Sequence, residues 1–289
     1  MEEFVIKSKY TESCPICHTK NPIKFDQKNG FVILKCPGCD LLWTTGVTEE
    51  ILKDFYSDSY FKSKDYILGY NDYIEDEEII RINARYILSE FPKFKDCPPK
   101  ILDIGCAHGF LLDEARKLGW EVKGLELNSG AAGYAVNKLN LDVSEGSIMQ
   151  AEFPENSFDF VTAIGTIEHF IDPVAVVSKI NKILKPGGYL AVTTINTKGL
   201  VRLFDLKPPE HIFYFSAKNL SLLLERESFA VLKLSSYWCH YHLNEALDRA
   251  FRLIFKPSRR IEKLLGFIPF LKIPIKVPTN EMFILSQKV

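Results

Sequence analysis

Residues 100 to 110 read KILDIGCAHGF, an apolar run that ends at Gly105 and meets a second glycine, Gly109, before a stretch with helical character. A short apolar run bounded by glycine predicts a buried strand that turns sharply into a helix. Gly105 lets the backbone approach a ligand without a Cβ atom, and the amides at the helix start face that ligand. The stretch therefore predicts the first strand and the ligand-binding turn of a parallel α/β sheet.

The chain after residue 100 alternates β-like and helical runs, which predicts a parallel sheet covered by helices. The expected strands are 100–104, 121–126, 141–146, 158–164, 189–195, 231–237 and 281–288. Asp172 and Pro173 fit the N-cap and first position of one helix, and KPGG at 185–188 fits its end. Ser216 fits the N-cap of another helix that runs through Glu227. The predicted fold class is α/β, with a Rossmann-like seven-stranded sheet.

Two carboxylates flank the glycine turn: Asp103 at the end of the first strand, and Glu126 at the end of the next, 21 residues after Gly105. The turn has the spacing G-x-A-x-G, which does not match the G-x-G-x-x-G of dinucleotide sites. Asp103 is an acceptor that a pyrophosphate would not favour, whereas Glu126 can accept both hydroxyls of a ribose. The expected ligand is a nucleoside linked to an amino acid.

Four of the seven cysteines form two C-x2-C pairs, Cys14 with Cys17 and Cys36 with Cys39, separated by 18 residues. This spacing is typical of a tetrahedral thiolate site for Zn²⁺, with iron as the less favoured metal. Four thiolates leave no open position, so the expected Zn²⁺ is structural. Two disulfides or four unrelated thiols are the alternatives. The remaining cysteines, Cys97, Cys106 and Cys239, are expected to be packing residues.

The pattern along the chain predicts three parts. Residues 1–45 form a zinc-ribbon module, 46–98 a helical, tyrosine-rich link, and 99–289 the α/β domain with a basic amphipathic insertion at about 240–278. The aromatic residues of the link indicate either a packing cap or a lid over a substrate: Tyr56, Phe61, Tyr66, Tyr70 and Tyr73. The insertion indicates a cover helix, with peripheral membrane contact as an alternative that we do not favour.

Composition limits the function classes. With 46% hydrophobic and 25% charged residues, the chain is an ordinary globular protein. Lys+Arg 36 against Asp+Glu 37 gives a net charge of -1, which disfavours a general nucleic-acid partner. The first residues do not resemble a signal peptide and no apolar run is long enough to span a bilayer, so a cytoplasmic protein is expected. The sequence does not indicate an oligomeric state.

Five motifs together resemble the class I S-adenosylmethionine-dependent methyltransferases, over residues 99 to 235. They are LDIGCAHG at 102–109, GLELN at 124–128, EGSIMQAEFPENSFDFV at 145–161, IEHFIDP at 167–173 and LKPGGYLAVTT at 184–194. The resemblance implies that the loop from Asp103 to Gly109 binds the methionyl part, Glu126 the ribose, and Ser147 and Ile148 the adenine. The full set of implied cofactor residues is Asp103, Gly105, Cys106, Gly109, Glu126, Leu127, Ser147, Ile148 and Ile164. Ala107 and Ser147 depart from the usual glycine and aspartate of the family.

Two histidines are the catalytic candidates on the acceptor side. His169 follows the fourth expected strand and His211, in EHIFYFS, follows the fifth, while Glu168 is expected to orient the loop. The four-cysteine module, the tyrosine-rich link and a core that contains EHIFYFS together resemble bacterial methyltransferases with a zinc-binding N-terminal domain, among them sugar C-methyltransferases. The resemblance to the sugar enzymes implies that His211 abstracts a proton next to a keto group. The module here is short and the longer C-terminal domain is missing. The expected acceptor is therefore a small molecule, either a nucleotide-linked sugar or a glycan or lipid precursor. An RNA methyltransferase and a non-catalytic scaffold are the alternatives.

Overall fold

The computed structural model describes residues 10–55, 74–93, 97–199, 206–243, 246–247 and 273–289. The helices are α1 Glu49–Phe55, α2 Glu77–Ser89, α3 Phe110–Lys117, α4 Ser129–Leu139, α5 Pro173–Ile183 and α6 Ala217–Arg226. The first strands are β1 Ile23–Lys28, β2 Phe31–Lys35, β3 Leu42–Thr44, β4 Lys100–Ile104, β5 Glu121–Glu126 and β6 Val143–Glu145. The others are β7 Phe158–Ile164, β8 Leu184–Ile195, β9 Phe213–Tyr214, β10 Phe229–His242 and β11 Pro274–Lys288.

The central sheet confirms the predicted fold class. Its seven strands follow the order β10-β11-β8-β7-β4-β5-β6, and β4 is parallel to both of its neighbours. Strand β11 is antiparallel to β8 and to β10. The chain order reverses beside β4, which places a crevice at the carboxyl end of that strand.

The helix caps agree with the sequence. The Asp172 carboxylate accepts a hydrogen bond from the Ala175 amide at 3.0 Å, and Pro173 is the first residue of α5. Ser216 and Asn219 form a reciprocal capping box at the start of α6. These side chains satisfy amides that a helix start leaves without intrahelical partners.

Strands β8, β10 and β11 are longer than predicted, whereas β6 at the sheet edge is shorter, covering 143–145 of the expected 141–146. Helix α5 ends at Ile183 and β8 begins at Leu184, so KPGG lies inside the strand, where the Lys185 ammonium binds the Asp159 carboxylate at 2.8 Å. Strands β10 and β11 pair as far as His242 with Pro274, within the range expected for the insertion. Residues 248–272 of that range lie outside the described residues, as do Tyr56, Phe61, Tyr66, Tyr70 and Tyr73. Across the part of the chain described, no helix combines the length and apolarity needed to cross a membrane.

A smaller sheet joins the N-terminal residues to the α/β domain. Its order is β1-β2-β3-β9, and β3 pairs antiparallel with β9 through Leu42 with Tyr214 and Trp43 with Phe213. Strand β9 comes from the far side of the sequence, so two distant segments share one sheet. The side chains of Trp43, Phe213 and Tyr214 are buried at this junction.

Helix α2 is attached to α3 by a buried ionic network. The Arg81 guanidinium donates to Asp113 at 2.6 Å, to Glu114 at 2.8 Å and to Glu77 at 2.7 Å. Asp113 and Glu114 are buried acidic residues, and burial would raise their pKa values if the surrounding cations did not hold them lower. The network therefore compensates the burial of two carboxylates.

Replacing Arg81 with alanine is expected to destabilise the domain by about 2 to 3 kcal/mol, because Asp113 and Glu114 lose the less exposed of the two cations that they share, the other being Lys117. Urea unfolding followed by circular dichroism measures the loss. The matched control is Arg85→Ala, which removes one guanidinium that is 53% exposed from the same Glu114. That change should cost less than about 1 kcal/mol, as is usual for exposed ion pairs. Equal losses in both variants would contradict the prediction.

Candidate active site

The turn after β4 forms a cradle that requires glycine. Gly105 has a φ of +74°, and a Cβ atom there would lie 2.7 Å from the Thr166 hydroxyl. The amides of Gly105 and Cys106 both donate to the Leu125 carbonyl, at 2.8 and 3.1 Å. Gly109, with a φ of +81°, then opens α3. The sharp turn predicted from the sequence is confirmed, and its inner face approaches the end of β5.

Ala107 adopts the left-handed conformation that favours glycine, with a φ of +48°. An alanine in this region costs about 1 to 2 kcal/mol relative to ordinary backbone. The Ala107 amide donates to the Glu126 carboxylate at 2.8 Å, which holds the loop in place. The departure from the glycine of related loops is therefore compatible with the same loop shape.

Asp103 and Glu126 are buried carboxylates at the crevice. The Thr162 hydroxyl donates to Asp103 at 2.7 Å, and the Asn128 amide donates to Glu126 at 2.8 Å. Burial raises the pKa of Asp103 to about 7, against the Thr162 hydrogen bond and with a further contribution from the charge of Glu126. Burial also raises the pKa of Glu126, while the amides of Asn128 and Ala107 oppose that shift. Such groups are stabilised when a cation or a hydrogen-bond donor enters the crevice.

The other predicted cofactor residues surround this crevice at the ends of β5, β6 and β7. Ile148 is buried, Leu127 is 53% exposed, and Ile164 is the last residue of β7. The Ser147 hydroxyl accepts a hydrogen bond from the Met149 amide at 3.2 Å. Cys106 is buried in the turn, where burial raises the pKa of its thiol. Their contact with a cofactor stays a prediction.

Two loops bring the candidate acceptor residues together. One is the 3-10 turn Ile167–His169 after β7, and the other precedes β9. The Ile212 amide donates to the Glu168 carbonyl at 2.9 Å, which ties the loops directly. The rings of His169 and His211 lie 4.9 Å apart between centroids in an edge-to-face arrangement.

Glu168 belongs to the same cluster, which sequence reasoning did not recognise. One ligand atom of each of Glu168, His169 and His211 lies within 4.8 Å of the others. Burial raises the pKa of Glu168 and lowers that of His211 well below its usual range, so both tend toward their neutral forms. The IEH triplet at 167–169 is the sequence signal that places Glu168 beside His169. His211 comes close to them only because β9, about 40 residues further along the chain, pairs with β3.

The four cysteines lie together, as their spacing predicts. The Cys14 and Cys39 sulfurs are 3.6 Å apart, those of Cys17 and Cys36 are 3.3 Å apart, and all four lie within 4.8 Å. Tetrahedral Zn–S bonds of about 2.3 Å require sulfurs about 3.8 Å apart, so the cluster fits Zn²⁺. Cys97 is exposed, and Cys106 and Cys239 are buried outside the cluster.

A family model described as "Methyltransferase domain" matches residues 76–234, which is more than half of the chain. The chain belongs to the methyltransferase-domain family. The resemblance to class I methyltransferases is thereby confirmed, and the matched residues include β4 to β8 and the start of β10 of the seven-stranded sheet.

Relatives of the methyltransferase domain include two named "Ubiquinone biosynthesis O-methyltransferase". The protein from Nitrosococcus oceani is 34% identical over 120 residues, covering 39% of this chain and 50% of that protein. The protein from Burkholderia vietnamiensis is 34% identical over 119 residues, covering 39% and 51%. The chain therefore spans about half the length of these curated relatives.

Solved structures share the fold of the methyltransferase domain. A SAM-dependent methyltransferase from Archaeoglobus fulgidus has a TM-score of 0.56 at 21% identity, covering 80% of this chain and 100% of that one. The [4+2]-cyclase SpnF has a TM-score of 0.51 at 18% identity, covering 72% and 80%. At these identities the likeness concerns the fold alone, and a cyclase on the same fold shows why the site must carry the argument for function.

The N-terminal segment that carries the four cysteines contacts the loop before β9. This loop carries His211 and is called here the candidate acceptor loop. The Thr44 amide donates to the Ile212 carbonyl at 2.7 Å, and the Thr44 hydroxyl donates to the His211 carbonyl at 3.1 Å. The Asn219 amide group also donates to the Cys39 carbonyl at 3.4 Å. The position of His211 therefore depends on β3, the strand that follows Cys36 and Cys39.

Proposed function

We propose that the chain transfers a methyl group from S-adenosylmethionine to an oxygen atom of a small-molecule acceptor. The glycine cradle between Asp103 and Glu126, in a chain of the methyltransferase-domain family, is the observation that carries this proposal. Oxygen is the proposed acceptor atom because the curated relatives are named O-methyltransferases. A sugar, glycan or lipid acceptor remains a prediction of the sequence alone.

The residues present fit this cofactor. Asp103 provides a buried carboxylate for the amino group of the cofactor. Glu126 accepts hydrogen bonds from two backbone amides and keeps further acceptor capacity for the ribose hydroxyls. Ser147 and Ile148 are proposed to flank the adenine. The sulfonium of S-adenosylmethionine supplies an electrophilic methyl group, so the chain needs mainly to orient the acceptor and exclude water.

His169 and His211 are the proposed acceptor-side residues. Both lie on loops after strands of the central sheet, and an imidazole there can accept a proton or bind a metal ion. The proposed organisation is that of the sequence: residues 1–45 as a structural zinc module, 46–98 as a link and 99–289 as the catalytic domain. In this proposal Zn²⁺ binds Cys14, Cys17, Cys36 and Cys39 and has no role in the chemistry.

Affinity for S-adenosylmethionine should rise with pH as Asp103 ionises. The pKa of Asp103 is raised to about 7 by burial, with Glu126 nearby, and only the charged carboxylate attracts the amino group. Ionisation grows from about one tenth to one half between pH 6 and 7, so Kd should fall about fivefold. Calorimetry across this range measures it, and Asp103→Asn should flatten the profile. A flat profile in the unsubstituted protein would contradict the role of Asp103.

The decisive test combines calorimetry with a screen for methyl transfer. The protein should bind S-adenosylmethionine, and isotopically labelled donor should transfer its methyl group to a hydroxylated small molecule. Absence of binding would refute the proposal and favour a non-catalytic scaffold. Labelled RNA with a steep salt dependence of binding would instead indicate a nucleic-acid methyltransferase.

A further inference from the structure

We propose that Glu168, His169 and His211 form a binding site for a divalent transition-metal ion beside the cofactor crevice. The site is separate from the four-cysteine cluster and has ligands of a different chemistry. Two imidazoles and one carboxylate are the donor set of catalytic zinc sites and of non-haem iron sites, both of which keep open coordination positions. The metal would thus differ from the structural Zn²⁺ in being open to an acceptor.

Two buried polar atoms of this cluster lack a hydrogen-bond partner among the described residues. Glu168 is 4% exposed and His211 is 6% exposed. Glu168 Oε2 and His211 Nδ1 have no hydrogen-bond partner among the described residues. Burying such groups without compensation costs several kcal/mol, and a cation between them would compensate both. One ligand atom from each of the three residues lies within 4.8 Å of the others, so a single ion can contact all three.

Glu210 orients the imidazole rings of the cluster. His169 Nδ1 lies 2.7 Å from the Glu210 carbonyl oxygen, and a ring that donates there carries its lone pair on Nε2. Metal-binding histidines are commonly oriented by a carbonyl or carboxylate in this way. The Glu210 carboxylate also lies 4.0 Å from His211 Nε2. Glu210 therefore lies next to both imidazoles, through its carbonyl oxygen at His169 and through its carboxylate at His211.

Hydrogen bonds to the backbone hold both loops that carry the three ligands. The His211 amide donates to the Lys207 carbonyl at 2.9 Å, and the His211 carbonyl accepts from Thr44. The Glu168 carbonyl accepts from Ile212 across the two loops. A site whose ligands come from loops needs such support to hold its geometry.

The role of this ion rests on the proposed function. An acceptor hydroxyl that contacts a divalent cation is more acidic, and its proton leaves to water. The acceptor oxygen then forms a bond to the methyl carbon while the carbon–sulfur bond breaks. The electron pair of that bond stays on the sulfur, which becomes a neutral thioether. Metal binding itself does not depend on this role and can be tested apart from it.

The experiment measures Co²⁺ binding to the full-length protein after its four-cysteine site has been loaded with Zn²⁺. One further equivalent of Co²⁺ should bind, with visible bands of nitrogen and oxygen ligation and no thiolate charge-transfer band. Glu168→Gln keeps the size of the side chain and His211→Ala removes a ligand. Each should weaken Co²⁺ binding by about 100-fold or more, since even changes around metal ligands cost about 10- to 100-fold.

His242→Ala is the matched control, because His242 is also a buried histidine with an Nδ1 lacking a partner among the described residues. It should bind Co²⁺ like the unsubstituted protein. S-adenosylmethionine affinity is measured in every variant, so failure of the proposed function is seen separately. No Co²⁺ binding beyond the cysteine site, or Co²⁺ binding by Glu168→Gln and His211→Ala as tight as that of the unsubstituted protein, would overturn the metal site. Lost turnover with unchanged Co²⁺ binding would instead favour His211 as a base.

Discussion

Replacing Gly105 with valine should weaken S-adenosylmethionine binding by about 100-fold or more. The backbone there has a φ of +74°, where a β-branched residue is strained, and the new Cβ would lie 2.7 Å from the Thr166 hydroxyl. Strain and displacement together cost about 3 kcal/mol, which corresponds to a factor of about 100 in affinity if the loop moves into the crevice. Calorimetry measures the affinity, and zinc content by elemental analysis should not change.

Gly119→Val is the matched control for this substitution. Gly119 has a φ of +84°, yet nothing lies within 4 Å of a Cβ atom built there. The control therefore shares the backbone strain without closing the cradle, and it should bind the cofactor normally. If both variants lost affinity equally, general destabilisation would explain the result. If Gly105→Val bound normally, the cradle would not be the cofactor site.

Replacing Cys36 with serine should remove the metal of the cysteine cluster and reduce turnover by about 100-fold, while cofactor affinity is retained. Cys36 follows β2, which pairs with β3, and β3 pairs with β9 beside His211. A shift of about 1 Å in a positioned catalytic group can cost about 100-fold in rate. The cradle lies between β4 and α3, away from β3 and β9, so cofactor affinity should be retained. Metal content, calorimetry and steady-state kinetics are the three measurements.

Cys97→Ser is the control for a change of cysteine chemistry alone. Cys97 is exposed and outside the cluster, so metal content and turnover should both be unchanged. Full activity of Cys36→Ser without its metal would show that the module does not position the acceptor loop. Loss of cofactor binding in the same variant would show that the module supports the whole domain.

The α/β domain could be predicted because its pattern is local. Lys100 to Ile104 is apolar and ends at a glycine, and the structure has a strand over the same residues. Asp172 and Ser216 predict the starts of two helices, because their side chains accept hydrogen bonds from backbone amides three residues further on. In these cases the interacting groups are close in sequence. The doubled C-x2-C spacing also predicts the cysteine cluster, although its short sulfur contacts, Cys14 with Cys39 and Cys17 with Cys36, join the two pairs across 25 and 19 positions.

The acceptor side could not be predicted in the same way. Strand β9 has two residues, Phe213 and Tyr214. So short an element has no hydrophobic periodicity from which it could be predicted. Its partner is chosen by packing against Trp43, far away in the chain. Glu168 was expected only to orient its loop because its closeness to His211 follows from that pairing. The amide contacts of Glu126 likewise depend on the shape of a neighbouring turn.

The pairing of β3 with β9 also has a consequence during synthesis on the ribosome. Leu42 and Tyr214 are about 170 residues apart. At a synthesis rate of about 5 to 20 residues per second, β9 therefore emerges roughly 10 to 30 s after β3. Until then the nascent N-terminal sheet has an open edge, which is a site for pairing with other chains. Completion of this sheet is thus a late folding event that closes an aggregation-prone edge and assembles the acceptor loop in one step.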